Sequence, residues 1–320
     1  MNPTRTQLHI DRPLTDMSIA YTQNAADFIA TRVLPSKNVS KQSDKYFVYQ
    51  ANAFMRDDAK LRGPGDESAK TGFSLSTDTY FCDKYSLGEM IAYDDIANAD
   101  EPISLENDAM EVVTHGLLIR REKLFAAACF ASSVWGTTVD GAATAKWDDY
   151  MSSDPIRAVD SAKKLIRLNG ARDANKLVVG MDVFLALKEH PDIIDRVKYT
   201  SAESVAEAII ARYLGVDEVL VAKALVDSNV EGASAASVDF VLSSKSALLL
   251  HAPAAVGNKT PSAGVLFNWT GAPHLPRPNG IAMRKLDMPE KQALVVEGDI
   301  TLDCKVTGTG LGVFFANIVG

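Results

Sequence analysis

The fold turns on the stretch Leu105–Ala131, LENDAMEVVTHGLLIRREKLFAAACFA. Its apolar residues Leu105, Ala109, Val112, Val113, Leu117, Leu124, Ala127, Ala128 and Ala131 recur at the spacing of one helical face. Ser104 stands where a cap is needed, Glu106 and Asp108 suit the positive amino end, and no proline interrupts before Trp135 and Gly136. A single helix over 104–132 is predicted, a rod of roughly 42 Å at ~1.5 Å per residue. Arg120, Arg121 and Lys123 put basic charge at mid-length, and the small apolar run Phe125–Ala131 lets neighbouring elements pack closely around the far half. The competing reading of this stretch alone is an ordinary long core helix of an α/β enzyme.

Upstream of the helix, residues 46–89 read as a long two-stranded excursion. Tyr46–Tyr49 runs out toward Met55, Ala59–Gly72 (AKLRGPGDESAKTG) forms the tip, and Phe73–Phe81 (FSLSTDTYF) returns. The return strand sets Phe73, Leu75, Thr77 and Thr79 against Ser74, Ser76, Asp78 and Tyr80, which makes one weakly apolar face. A lone hairpin of that composition is marginal in water. Its stability is therefore expected from another subunit, with Arg56, Lys60 and Arg62 near the tip able to pair with carboxylates there. Residues 1–45, broken by Pro13 and Pro35, have little periodicity and form an arm that must lie along another surface if it is ordered. Ile91–Ile103, with Asp94, Asp95, Asp100 and Glu101, is an acidic approach to the helix.

Downstream, a loop rich in glycine, serine and aspartate leads to Asp154 and Pro155, a capping residue followed by proline at the first helical position. Ile156, Val159, Leu165 and Ile166 mark the buried side of that second helix, Gly170 stops it, and Leu177–Val179 is a short buried strand. Residues 181–290 alternate helices and strands as a separate lobe. There Asp182 caps a helix through Leu187, Pro191 starts another through Val197, and Thr200 with Glu203 makes a capping box for a third that Gly215 ends. Strands are expected at Glu218–Val226, Val238–Leu242 and Ala247–His251, followed by a proline-rich surface loop, Gly271–Gly280. Ala293–Val306 is a long alternating strand suited to a partner near the long helix, and the apolar Leu311–Val319 is expected to return to the first lobe.

The 320 residues suffice for two cores, and 47% hydrophobic with 23% charged residues is ordinary globular composition. A net charge of -8 argues against a protein that grips nucleic acid, because such proteins display basic surface to neutralise phosphates. Cys82, Cys129 and Cys304 lack metal-ligand spacing and read as buried thiols in a reducing compartment. No apolar run approaches a membrane span and no signal-like segment opens the chain, so the sequons at Asn38, Asn258 and Asn268 are read as accidents.

Catalytic motifs are approached but not met. Gly65–Thr71 (GDESAKT) has Ala69 where a phosphate loop needs glycine before its lysine, and Ser262 in TPSAG lacks the first glycine of a nucleophile elbow. His9, His115, His190, His251 and His274 are scattered without metal spacing, and His115 reads as a residue on the polar flank of the long helix. The adjacent carboxylates Asp57 and Asp58, Asp94 and Asp95, and Asp148 and Asp149 point apart in loops or strands, which suits solvated turns and not an acid/base dyad. No enzyme activity, cofactor or metal is expected.

An arm, an overhanging hairpin, a long helix, an inserted α/β lobe and a returning strand, in that order, resemble the major capsid protein of tailed double-stranded DNA bacteriophages, the Hong Kong 97-type α+β fold. The stretches FIATRVLPSKNVSKQSDKYFVY, STDTYFCDKYSL, THGLLIRREKLFAAACF and VVGMDVFLALKEHPDIIDRVKYT are similar to segments of siphophage capsid proteins, and so are LGVDEVLVAKAL and PSAGVLFNWTG. The resemblance implies an N-terminal arm over 1–45 and an E-loop over 46–89. It also implies a peripheral domain over 90–180 and 286–320 with spine helix 104–132, and an axial domain over 181–285. It further implies pentamers and hexamers of one chain enclosing double-stranded DNA as a virion shell, assembled in the bacterial host cytoplasm, with Arg56, Lys60, Arg62, Arg120 and Arg121 at contacts between subunits. No long charged helical segment precedes the arm, so a separate scaffolding protein is expected, together with a portal, with or without a decoration protein. Neither Lys60 nor Lys70 fits a cross-linking motif, so no covalent bond between subunits is expected. The alternatives are an α/β ligand-binding protein or enzyme with an oligomerisation arm, and an encapsulin-like nanocompartment shell.

Overall fold

The computed structural model describes residues 23–49, 54–99, 104–141, 145–197, 207–229, 237–257, 259–271 and 281–320. The first part of the arm, Asp100, Glu101, the Thr200–Glu203 capping box, Asn258 and the proline-rich loop with His274 lie outside the described residues, as does His9. In chain order the elements begin with α1 (Ala30–Val33), β1 (Ser36–Val39), β2 (Ser43–Tyr49), β3 (Leu75–Phe81), β4 (Asp83–Ala92), α2 (Tyr93–Asn98) and α3 (Leu105–Cys129). Next come β5 (Thr137–Asp140), α4 (Pro155–Gly170), β6 (Lys176–Val179), α5 (Met181–Glu189), α6 (Pro191–Val197), α7 (Glu207–Leu214) and β7 (Glu218–Val221). The chain ends through β8 (Leu225–Asp227), β9 (Val238–Phe240), β10 (Ala247–Leu250), β11 (Gly264–Trp269), β12 (Ile281–Met288), β13 (Ala293–Val306) and β14 (Gly312–Ala316).

The α3 helix has 25 residues and is therefore about 38 Å long. It begins where the sequence predicts, although Ser104 makes no side-chain cap bond, and ends a little early. Phe130 leaves helical geometry, and the Trp135 indole N–H donates to the Cys129 carbonyl at 2.7 Å, satisfying an acceptor of the last turn. The buried row is Ala109, Val113, Leu117, Arg121, Phe125 and Cys129, one residue in every four. Val112, expected on the buried face, is 60% exposed.

That row serves two cores. Ala109 packs with Ile91 and Val296, and Val113 and Leu117 pack with Ile300 and Leu302. Phe125 and Cys129 belong instead to the main core beneath the second sheet. Burying a side chain such as Leu117 contributes about 1.5–3 kcal/mol.

The first sheet is organised on β13, as the long alternation of Ala293–Val306 predicts. The β4 strand follows one edge from Ala92↔Ala293 to Asp83↔Leu302, while β12 and β11 share the other. The excursion that the sequence reading carries to Glu89 therefore stops overhanging near Phe81, since residues 83–92 are sheet. Within the arm, β1 pairs in parallel with β11, Ser36 opposite Leu266.

The second sheet has the order β5-β14-β10-β6-β7. The terminal segment, expected to return to the first lobe, pairs with β5 of that lobe and lies here as β14 between β5 and β10. Val313, Phe314 and Phe315 are all buried, and a strand apolar on both faces needs cover on both sides. Trp147 covers Phe315 at 5.4 Å between ring centroids and Phe130 meets Phe314 edge-on at 5.2 Å.

One helix end differs from expectation for a packing reason. Gly180, not Asp182, holds the cap position of α5; a Cβ there would stand 2.2 Å from the Ser244 carbonyl oxygen, and Asp182 instead accepts the Ser244 hydroxyl at 2.5 Å. The α4 helix ends at Gly170 as predicted, where a Cβ would come within 2.1 Å of Leu311, and Ala171 takes the left-handed turn with φ 51°. Asp154 caps α4 as predicted, accepting the Arg157 N–H at 2.9 Å.

Gly298 lies on β13 directly beneath α3, where an added Cβ would meet Leu117, Val113 and Met283 atoms at 2.7 to 2.8 Å. Gly298→Val is expected to destabilise the chain by about 1–3 kcal/mol through overpacking, read as a lowered midpoint in thermal unfolding. The same substitution at exposed Gly72, with open space around it, should leave the midpoint unchanged.

Candidate functional site

The strands β2 and β3 pair from Ser43↔Phe81 to Tyr49↔Leu75, forming an isolated two-stranded ribbon. Alternation gives it two faces. The inner one carries Tyr46 and Tyr80, which pack on Phe267 of β11; Tyr80 is stacked at 4.6 Å and Tyr46 lies at 5.7 Å between centroids. The outer one carries Phe47, Leu75 and Phe81, all exposed, Phe47 by 67%. The alternation read in Phe73–Phe81 is correct, but its weakly apolar face turns to solvent and Tyr80 of the polar set is the anchor.

The root of the ribbon is tied to β13. The Asp303 carboxylate accepts the Phe81 N–H at 3.0 Å, and the Tyr46 hydroxyl donates to Asp78 at 2.7 Å. Burial pushes the Asp303 carboxyl up from its ordinary value, against the pull of that N–H and of Lys305. Burial, with the Asp78 carboxylate beside it, likewise raises the Tyr46 phenol. Farther along β13, burial also pushes the Asp299 carboxyl up, but the Ser86 hydroxyl and Lys84, at 2.9 Å, outweigh it and hold it below the carboxylate range.

Beyond the ribbon the tip is exposed and irregular. Arg56 donates to the Gly72 carbonyl at 2.8 Å and Arg62 to the Asp66 carbonyl at 2.5 Å, so both brace the tip, and Lys60 is exposed beside them. The phosphate-loop decoy Gly65–Thr71 lies in this tip, with neither strand before it nor helix after it. On α3, exposed Arg120 sits over the Tyr85 ring at 4.3 Å. Arg121 is only 8% exposed, covered by its own chain, with its Nε lacking a hydrogen-bond partner among the described residues. Arg121 thus occupies a place in the buried row of the helix.

Beside Arg121, Glu122 is fully buried and accepts two arm N–H groups, Ile29 at 3.3 Å and Ala30 at 3.1 Å. The other end of α1 is held by Lys176, whose ammonium donates to the Arg32 and Val33 carbonyls. Phe28, Ile29, Ala30, Val33 and Leu34 are all buried. The sequence marks this clamp only through the apolar residues one helical turn to either side of Glu122, Leu118, Ile119, Phe125 and Ala126.

One constellation has the composition of a nucleophile relay: the Ser153 hydroxyl lies 3.1 Å from His190 Nε2, and Asp192 lies 3.6 Å from His190 Nδ1. Its hydrogen bonds run the wrong way. The Ser153 hydroxyl donates to the Asp149 carbonyl at 2.7 Å, and His190 Nδ1 accepts the Asp192 N–H at 3.3 Å. The imidazole then carries its proton on Nε2 and cannot take one from serine. With His190 only 1% exposed, this is a satisfied core histidine. Ser262 is similarly buried and gives its hydroxyl to the Gly264 carbonyl. His115 is half-buried, with its Nε2 3.8 Å from the Glu111 carboxylate on one side and its ring 6.3 Å from Phe28 on the other. Asp148 and Asp149 bind turn and chain-end N–H groups, as solvated turn carboxylates do.

The thiols of Cys82 and Cys129 are buried, and that of Cys304 reaches to 3.7 Å from Cys129. Among the described residues no cluster of metal-ligating side chains occurs, and no helix is long and apolar enough to cross a membrane.

No family model matches the chain. It is 26% identical over 226 residues to the major capsid protein of Burkholderia phage BcepMu, covering 68% of this chain and 69% of that one. Its fold is that of a phage-related protein of Bordetella bronchiseptica, with a TM-score of 0.68 at 19% identity over 92% and 94% of the two chains. The capsid of the Cyanophage P-SCSP1u matches with a TM-score of 0.61 at 12% identity over 99% and 98%. The holo-SrpI encapsulin complex from Synechococcus elongatus matches with a TM-score of 0.54 at 12% identity over 97% and 95%. The chain thus has the α+β Hong Kong 97-type fold that its sequence resembles.

Tyr80→Ala removes the stacked anchor of the ribbon. Trypsin is expected to cut at Lys45, within the ribbon, several-fold faster than in the parent chain, while the thermal midpoint moves little, because the Phe267 cluster is separate from the main core.

Proposed function

We infer that this chain is a major capsid protein, a structural subunit that self-assembles into the icosahedral shell of a phage particle. The observation that carries the reading is the 26% identity to a phage major capsid protein over two thirds of the chain, joined to a shared fold over nearly all of it. The physics of the ribbon supports it. An overhanging pair of strands with exposed Phe47, Leu75 and Phe81 keeps apolar groups and unpaired edges in water, and a neighbouring copy would cover both. Contacts of the obligate type bury above roughly 2,000 Å² per pair, and closure of a shell multiplies each small contact by avidity.

In this reading the overhanging loop comprises Ser43–Phe81, the arm precedes it, and the spine helix with the β13 sheet forms the peripheral unit. The second sheet with its helices forms the axial unit around capsomer centres. Arg56, Lys60 and Arg62 at the tip, and Arg120 on the spine, are assigned to acidic groups of adjacent subunits; Arg121 is not. The shell encloses double-stranded DNA, which an acidic chain of net charge -8 confines without adhering to it. A separate scaffolding protein and a portal, with or without a decoration protein, complete the particle, assembled in the host cytoplasm.

Negative-stain microscopy of the purified chain, alone and from cells carrying the remaining head genes, is expected to show capsomers and closed shells containing DNA. Shells loaded with a protein cargo would favour a nanocompartment, and small discrete oligomers would refute both. Deletion of Ala59–Thr71 should leave the circular dichroism spectrum of a folded chain and abolish closed shells; normal shells from that deletion would overturn the bridging role of the tip.

A further inference from the structure

We propose that Glu122 is a proton-operated latch for the arm: docking of the segment Phe28–Leu34 takes up a proton at this carboxyl, and loss of that proton loosens the segment. Every group involved belongs to one chain, so the inference stands apart from the shell reading. Glu122 projects from α3 with no exposure, and both of its oxygens are used by the arm, Oε1 by the Ile29 N–H at 3.3 Å and Oε2 by the Ala30 N–H at 3.1 Å. The roof over the carboxyl is the arm itself, through the buried side chains of Phe28, Ile29, Ala30, Val33 and Leu34. Lifting the segment would therefore remove both N–H donors and return the carboxyl to water.

The charged and titratable groups around it are few. On its own helix Arg121 acts only through space, since successive residues of a helix diverge and do not face each other. From β13 the Cys304 thiol feels the Glu122 charge and is itself raised well above its ordinary value by the adjacent Cys129 thiol and by burial. From β6, Lys176 addresses the far end of α1, on the carbonyls of Arg32 and Val33. His115 lies against Phe28 at the outer edge. Burial pushes Glu122 up from 4.5 to about 7, although the Ala30 and Ile29 N–H groups and Arg121 pull the other way.

The sign follows from linkage. An acid whose value is higher when docked than when free binds a proton on docking, so docking is strongest below about 4.5, weakens as pH rises to about 7, and is level above that. The slope between those limits is about tenfold per pH unit. An ionised carboxylate buried under apolar side chains is the less stable state.

Hydrogen–deuterium exchange of the full-length chain between pH 5 and 8.5, with rates referred to the intrinsic rate at each pH, tests this. The amides of Phe28–Leu34 are expected to open about tenfold more per pH unit up to about 7 and then no further. Over the same range those of Ala247–Leu250, in the centre of the second sheet, should hold constant protection. Glu122→Gln keeps an acceptor without a titrating proton, and should flatten the profile near the low-pH protection of the parent chain. A flat parent profile from pH 5 to 7 would overturn the proposal, and this arm decides it even where the variant fails to fold. An unchanged slope in Glu122→Gln, unprotected arm amides at every pH in that variant, or Ala247–Leu250 opening in step with the arm would each overturn it as well.

Discussion

A straight helix that must be buried in two different cores constrains everything else in this molecule. The row Ala109, Val113, Leu117, Arg121, Phe125, Cys129 repeats every four residues, and such a row runs obliquely around the helix instead of along it. Its first half lies on β13 and its second half enters the main core, so the two sheets are held by one rod. Close approach follows from this placement. Gly298 leaves room for Leu117 and Val113, and Gly116 leaves room for Leu87, whose Cδ2 a Cβ would meet at 2.4 Å. At the changeover between the cores stand Arg121 and Glu122, the two charged residues that the row and its flank bury.

The arm settles what those charges face. Segment Phe28–Leu34 fills the space beside the second half of the helix with five buried apolar residues, and that burial supplies most of its docking free energy. The polar contacts select the register. The Glu122 carboxyl group receives the N–H groups at one end of α1 and the half-buried Lys176 ammonium holds the carbonyls at the other, so sliding the segment would break both sets of contacts. The Arg32–Glu218 ion pair, about half and a third exposed on its two sides, adds at most about 1 kcal/mol.

The ribbon obeys the opposite logic. Its inner face is anchored by Tyr46 and Tyr80 on Phe267 and by Asp303 on the Phe81 N–H, whereas its outer face stays apolar and uncovered. The chain is thus well packed along its spine and open along its ribbon. Local anchoring at the root aims the ribbon, and the exposed tip with Arg56, Lys60 and Arg62 extends its reach.

Elements whose own residues repeat with a clear period are legible in the amino-acid sequence. They include the long helix, the returning strand of the ribbon, the Asp154–Pro155 helix start and the long strand Ala293–Val306, because periodicity and capping are local properties. Strands β5, β11 and β12 are not legible there, since short apolar or mixed runs take their conformation from the partner across the ladder. The same holds for the site. Spacing alone places Arg56, Lys60 and Arg62 near a tip, but the burial of Arg121, the Glu122 clamp on the arm and the seat of β14 in the second sheet depend on which distant segment arrives there. Residue order is thus enough for the periodic and capped elements. Which charges leave water is settled by packing alone, because desolvation is a property of neighbours 92 and 93 residues away along the chain.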